Sequence, residues 1–147
     1  MINLHTISIK TDTIIAVPPS ISALKKLRNL SLDHCKVETL PETLGDLEFL
    51  EMLHLEASNL RELPASAVHL KSLRELVLAG NQTLVVDSLF DKLPTSLEHL
   101  DLASCGLEYL PDSVRRLVKL KSLTLVANSL TTLPNALAEL SGVEFLE

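Results

Sequence analysis

The chain has 147 residues, a formal charge of −6 and a pI near 5.3, so a basic surface of the kind that displaces counterions from nucleic-acid phosphates is not expected. Hydrophobic residues make up 46 % of it but aromatics only 3 %, with no tryptophan, so branched aliphatic side chains must build its core. No apolar run approaches the roughly 18 residues of a membrane span, and Met1-Ile2-Asn3-Leu4 enters the patterned part of the chain at once; a cytosolic protein without a signal peptide is expected.

The pattern is a repeat. Leu4, Leu27, Leu50, Leu73, Leu97, Leu120 and Val143 are spaced by 23 residues, with one gap of 24. From each of them apolar residues recur in one order: Leu27, Leu30, Leu32, Cys35, Val37 and Leu40-Pro41 in one unit, Leu120, Leu123, Leu125, Asn128, Leu130 and Leu133-Pro134 in another. Each unit opens on Leu-x-Leu, the two-residue period of a strand with one face buried. Leu30 and Leu32, Leu53 and Leu55, Leu76 and Leu78, Leu100 and Leu102, and Leu123 and Leu125 are expected to point inward from parallel strands.

Three residues further on stands Asp12, Cys35, Ser58, Asn81, Cys105 or Asn128. Here the chain turns off the sheet and exposes backbone groups that need partners, which short polar or thiol side chains supply. These six form the expected structural ladder, with Asp12 its poorest fit. Cys35 and Cys105 lie three units apart, roughly 14 Å at a strand spacing of about 4.8 Å, too far for a disulfide. They are expected to be free, buried thiols, in keeping with a reducing compartment. Of two glycosylation sequons, at Asn29 and Asn81, the second falls on an inward ladder position.

The far side of each unit carries Pro18, Pro41, Pro64, Pro111 or Pro134, each followed by spaced apolar residues: Leu44 and Leu47, Val68 and Leu70, Val114 and Leu117, Leu137 and Leu140. Proline suits the first turn of a helix, so short α or 3-10 segments are expected there. One unit departs from this. After Asn81 no proline follows Val86, and an extra residue precedes Leu97, so a local bulge is expected between residues 85 and 95, either neutral or a contact for a neighbouring domain.

The repeat, for example LEFLEMLHLEASNLRELP at residues 47–64, resembles the LP-type, 23-residue class of leucine-rich repeats, and the resemblance spans residues 4–146. Ras-group-related proteins, Scribble- and Erbin-like scaffolds, plant immune receptors and bacterial effectors carry similar repeats. The resemblance implies an α/β fold: a curved, right-handed β-α solenoid with a parallel concave sheet and short convex segments. It also implies one domain over residues 1–147, six repeats and a partial seventh, that binds proteins on its concave face. Such domains usually carry caps. None is evident here, which suggests a fragment of a longer protein or, alternatively, self-association through uncapped ends.

Function must then come from residues between the strand leucines, which face solvent. Three rows cross the sheet: Lys10, Asp33, Glu56, Ala79, Ala103, Val126; then Ser8, Ser31, His54, Val77, Asp101, Thr124; then Thr6, Asn29, Met52, Glu75, His99, Ser122, Phe145. Lys10 is the only Lys or Arg in them, against Asp33, Glu56, Glu75 and Asp101. Asp33 and Glu56 would oppose like charges at a cost of about a few tenths of a kcal/mol, partly relieved by Lys10. Val77, Ala79, Ala103 and Val126 would form an apolar shelf beside this charged half, ordinary interface anatomy. The candidate partner-binding set is therefore Asp33, His54, Glu56, Glu75, Val77, Ala79, His99, Asp101, Ala103 and Val126, for a basic or mixed-charge protein.

Other chemistries fit less well. The chain has four glycines, no phosphate loop and no C-x-x-C pair, and neither cysteine is expected to be exposed. His34, His54 and His99 lie near carboxylates, but zinc needs ligand atoms about 2.0–2.2 Å from one point, and coils roughly 10 Å apart do not converge so. His99 is expected to pair with Glu75. No enzyme activity, cofactor or metal is expected. The alternative to a binding module is a spacer inside a larger receptor, effector or ubiquitin ligase.

Overall fold

The computed structural model describes residues 3–146; Met1 and Ile2, on which the expected direct entry into the first repeat partly rests, and Glu147 lie outside the described residues. Seven strands form one parallel sheet in chain order: β1 Thr6–Lys10, β2 Asn29–Asp33, β3 Met52–His54, β4 Glu75–Val77, β5 His99–Asp101, β6 Ser122–Thr124 and β7 Phe145–Leu146. The register follows the 23-residue period. Asn29 pairs with Met52, Met52 with Glu75, Glu75 with His99 and His99 with Ser122, so the 24-residue gap is absorbed outside the sheet. Between the concave rows the strand leucines point inward, and Leu30, Leu53, Leu76, Leu100 and Leu123 stack as a buried column. Every apolar side chain in that column packs on the coils before and after it, which is how a chain with so few aromatics builds a continuous core.

At the end of each strand the backbone turns sharply off the sheet. His34, Ala57, Gly80, Ser104 and Ala127 occupy this corner in successive coils, all with φ between 49° and 76°. Only one of them is glycine, and a left-handed backbone costs about 1–2 kcal/mol in an L-residue. The corner persists because its amides continue the ladder: His34 N–H donates to Glu56 O at 2.7 Å, Ala57 N–H to Ala79 O at 2.8 Å, and Gly80 N–H to Ala103 O at 2.8 Å.

The ladder residues lie just inside. Asn81 is fully buried and makes four hydrogen bonds: Oδ1 accepts from Ser58 and Leu60 N–H at 3.1 and 2.8 Å, and Nδ2 donates to Leu55 and Leu78 O at 2.8 and 2.7 Å. Asn128 repeats the arrangement on Cys105, Leu107, Leu102 and Leu125. Ser58 Oγ donates to Leu32 O at 2.7 Å, and Cys105 Sγ to Leu78 O at 3.2 Å. Cys35 is buried, and both cysteines are free thiols. Asp12 stands apart, exposed on the first coil beside the bonded pair Thr11 and Thr13.

The convex side holds five 3-10 turns, Pro19–Ala23, Glu42–Asp46, Ala65–His69, Asp112–Arg116 and Asn135–Glu139. The proline before each has φ between −63° and −73° and its carbonyl accepts the first turn bond. In the third of these turns Ala67, not Val68, fills the inward position. The second and third turns approach closely at Gly45, where a Cβ would stand 2.5 Å from Ser66 O. Glu42 reaches across the same contact and accepts the Ala65 and Ser66 amides at 3.1 and 2.9 Å. Those two bonds hold its carboxyl below the ordinary range.

The expected bulge between residues 85 and 95 is a packed helical turn, α1 Leu89–Lys92. Its extra residue lets the chain wind one α turn in place of a 3-10 turn and places Phe90 fully inside the core, with Leu93 and Pro94 buried behind it. Arg116 donates to Phe90 O at 2.9 Å and Lys92 to Glu62 at 2.8 Å, tying α1 to the coils on both sides.

Candidate functional site

The concave face is built by the strand positions that alternate with the buried leucines. Parallel pairing brings Ser8, Ser31, His54, Val77, Asp101 and Thr124 into one row and Thr6, Asn29, Met52, Glu75, His99, Ser122 and Phe145 into the next. Lys10 stands in register beside Asp33. Glu56, Ala79, Ala103 and Val126 continue that row through bonds from His34, Ala57, Gly80 and Ser104.

Two side-chain pairings differ from expectation. Glu75 is the register partner of His99, yet its Oε1 lies 2.9 Å from Nε2 of His54 on the preceding strand, and His99 stays exposed. The carboxylate crosses diagonally, because Val77 beside His54 is short and leaves it room. Asp33 and Glu56 do not simply repel. Asp33 Oδ1 accepts the backbone N–H of Glu56 at 2.9 Å, and Oδ2 accepts the Ser31 hydroxyl at 2.8 Å. Donors on its own sheet fix the orientation of the Asp33 carboxylate, and Glu56 remains exposed. Asp101 likewise turns Oδ1 onto the Ala103 amide at 2.9 Å.

Between β4, β5 and β6 the face dips into a shallow cleft of about 300 Å³, lined by Glu75, Val77, His99, Asp101, Ser122 and Thr124. Ala79 and Ala103 lie half-buried beside it and Val126 is exposed at its edge. Glu75 and Val77 stand on its β4 side, His99 and Asp101 along its middle on β5, and the hydroxyls of Ser122 and Thr124 on its β6 side. Among the described residues, no three His, Cys, Asp or Glu side chains are grouped so as to hold a metal ion. Burial pushes the Cys105 thiol up to about 11, so it stays protonated at neutral pH and is a poor nucleophile. No described helix is long and apolar enough to cross a membrane.

A further row escapes a reading confined to the concave face. After the first anchor, which His5 follows, the residue next to each anchor is Arg28, Glu51, Arg74, Glu98, Lys121 and then Glu144, alternating in sign from coil to coil. Their backbones run in register along one rim of the sheet: Glu51 N–H donates to Arg28 O, Arg74 to Glu51, Glu98 to Arg74, Lys121 to Glu98 and Glu144 to Lys121. Arg28 pairs with Glu51, and Glu98 takes both Lys121 at 2.5 Å and Arg74 at 3.5 Å. The hydrogen bond from Lys121 holds the Glu98 carboxyl below its usual range. The alternation is plain once the position after the anchor is read at the repeat spacing.

Sequence and fold comparisons agree with this architecture. A leucine-rich repeat region model matches residues 18–105, and a leucine-rich repeat model matches residues 96–117. TMV resistance protein N of Nicotiana glutinosa is 33 % identical over 143 residues, covering 91 % of this chain and 12 % of that protein. Disease resistance-like protein DSC1 of Arabidopsis thaliana is 33 % identical over 129 residues, covering 84 % of this chain and 10 % of that protein. The chain therefore spans about a tenth of the length of these relatives. The leucine-rich repeat domain of the type III effector XopL superposes with a TM-score of 0.74 at 31 % identity, covering 84 % of this chain and 43 % of that one. Such solenoids are generally non-enzymatic modules for protein–protein interaction. By its repeat, its seven-stranded parallel sheet and its match over residues 18–105, the chain belongs to the leucine-rich repeat family.

Proposed function

We propose that this chain binds a basic or mixed-charge protein through its concave face. Asp33, His54, Glu56, Glu75, His99 and Asp101 orient the partner, while Val77, Ala79, Ala103 and Val126 provide a dry centre. The observation that carries the reading is the charge of the three rows, four carboxylates against the single Lys10, with Glu75 and Asp101 lining the same cleft. An arginine or lysine entering there meets two carboxylates at the rim and small side chains that let its backbone approach. A reducing, cytosolic setting belongs to the same proposal and is supported by the two free, buried thiols.

The test is affinity capture from cytosolic lysate with the wild-type chain and with Glu56, Glu75 and Asp101 all changed to lysine. Circular dichroism of the variant is expected to match wild type, because all three side chains lie on the solvent side of the sheet. A protein retained by wild type and lost by the variant establishes the concave surface and names the partner. A second reading, a spacer within a longer receptor, is favoured by the small share of the resistance proteins that the chain spans. It predicts that both baits capture the same set.

A further inference from the structure

The flank between each convex turn and the next strand has the opposite charge to the concave face. Besides Arg28, Arg74 and Lys121 of the ion-pair row it carries Lys25, Lys26, Lys71 and Lys119, so seven of the chain's 13 Lys and Arg residues lie there. The three in the row already face carboxylates. Lys26 and Lys71 form no ion pair among the described residues, and Lys25 reaches only the carbonyl of Asp46, at 3.5 Å. In their midst stands Phe49, 51 % exposed. It forms a shared wall between two open clefts: one of about 540 Å³ that includes Lys25, Asp46, Glu48 and Lys71, and one of about 300 Å³ that includes Lys26 and Arg28.

Aromatic side chains are enriched at interfaces, and Phe49 offers one ringed by lysines. Around this one the free charge is positive. Asp46 and Glu48 on the larger cleft oppose a continuous polyanion, such as a membrane surface or nucleic acid, which would press phosphates against them. Glu48 stands between Lys25 and Lys71 at the repeat spacing, so a segment with carboxylates only at its two ends meets the lysines and lays an uncharged middle over Glu48. Lys25 and Lys71 lie two coils apart, roughly 10 Å, the reach of about three residues of extended chain at 3.3 Å each. We propose that Phe49 with Lys25, Lys26 and Lys71 forms a second docking surface, for an acidic protein segment that places an aromatic or large aliphatic side chain against Phe49 between carboxylates three or four residues apart. This surface is independent of the concave one and selects the opposite charge.

A random dodecapeptide library displayed on phage, panned on the full chain at low salt, tests it. Wild type is expected to enrich acidic sequences with an internal aromatic or aliphatic residue. Enrichment should fall at least tenfold on Phe49→Ser and on the Lys25→Glu/Lys71→Glu pair, both changes at exposed side chains that leave the core intact. The same sequences should persist on Glu75→Lys, which disables only the concave reading. Equal enrichment on wild type and the flank variants overturns the proposal, as does enrichment of basic sequences alone. A phosphatidylserine vesicle arm closes the remaining case. Sedimentation of the chain with vesicles that Phe49→Ser abolishes, with no acidic peptide enriched, assigns the flank to a membrane surface and overturns the peptide reading.

Discussion

Asn81 and Phe90 belong to the same coil, are both fully buried, and hold it by opposite means. Asn81 contributes little volume but satisfies four backbone groups of two adjacent coils. Phe90 is the largest side chain in the core and fills the space that the longer convex segment opens. The polar corner recurs, in Asn128 with the same four bonds and in Ser58 and Cys105 with fewer. The aromatic plug occurs once. A repeat fold is therefore held by a periodic polar device at its inner edge and by local, non-periodic packing at its outer edge.

Substitutions at the two edges separate these contributions. Asn81→Ala leaves three buried backbone groups, Ser58 N–H, Leu60 N–H and Leu55 O, without partners at about 1–3 kcal/mol each, while Leu78 O keeps the Cys105 thiol; after partial relaxation a loss of about 4 kcal/mol is expected in urea unfolding. Asn128→Ala should cost less, because that corner is only half-buried and water can replace the amide. An equal loss at both positions would mean that burial does not set the cost. Phe90→Ala is expected to cost about 3–4 kcal/mol through the cavity it leaves, and a loss below 1 kcal/mol would show that α1 collapses without it.

The same contrast recurs at a smaller scale where the second and third convex turns touch. Gly45→Ala brings a methyl within 2.5 Å of a backbone oxygen, an overpacking expected to cost about 1–3 kcal/mol. The smallest effect is polar. Because the folded pKa of Glu42 is lowered, its contribution is present above the ordinary carboxyl value near 4.5 and is lost as pH falls through the lowered value. Glu42→Gln should therefore lose less stability than wild type between pH 6 and pH 3, read as a smaller fall in Tm. Parallel pH profiles would refute the role of the charge.

How much of this was legible in the sequence follows from what repeats. Strand rows, inward leucines, ladder positions and convex prolines all recur at 23 residues, and the registry of the sheet is the same spacing made physical. The alternating rim from Arg28 to Glu144 was equally periodic and escaped because it lies one residue outside the strands. What did not repeat was opaque. The coil containing α1 lost its proline, so nothing in the motif indicated that Phe90 would turn inward. The pairing of Glu75 with His54 instead of His99 depends on the room left by one short side chain, a choice that register alone does not make. At Asp12 the pattern holds in spacing but not in burial, since that coil has no earlier neighbour among the described residues to bond back to.

The direction of the ladder bears on how such a chain is made. Asn81 reaches back to Leu55, Ser58 and Leu60, and Asn128 reaches back to Leu102, Cys105 and Leu107. The amides of each of these corners thus wait for an asparagine that the ribosome adds 21 to 23 residues later. During synthesis at about 5–20 residues per second, the newest such corner stays open for a second or more. Growth of the solenoid proceeds with a travelling unfinished edge, closed behind by each new coil.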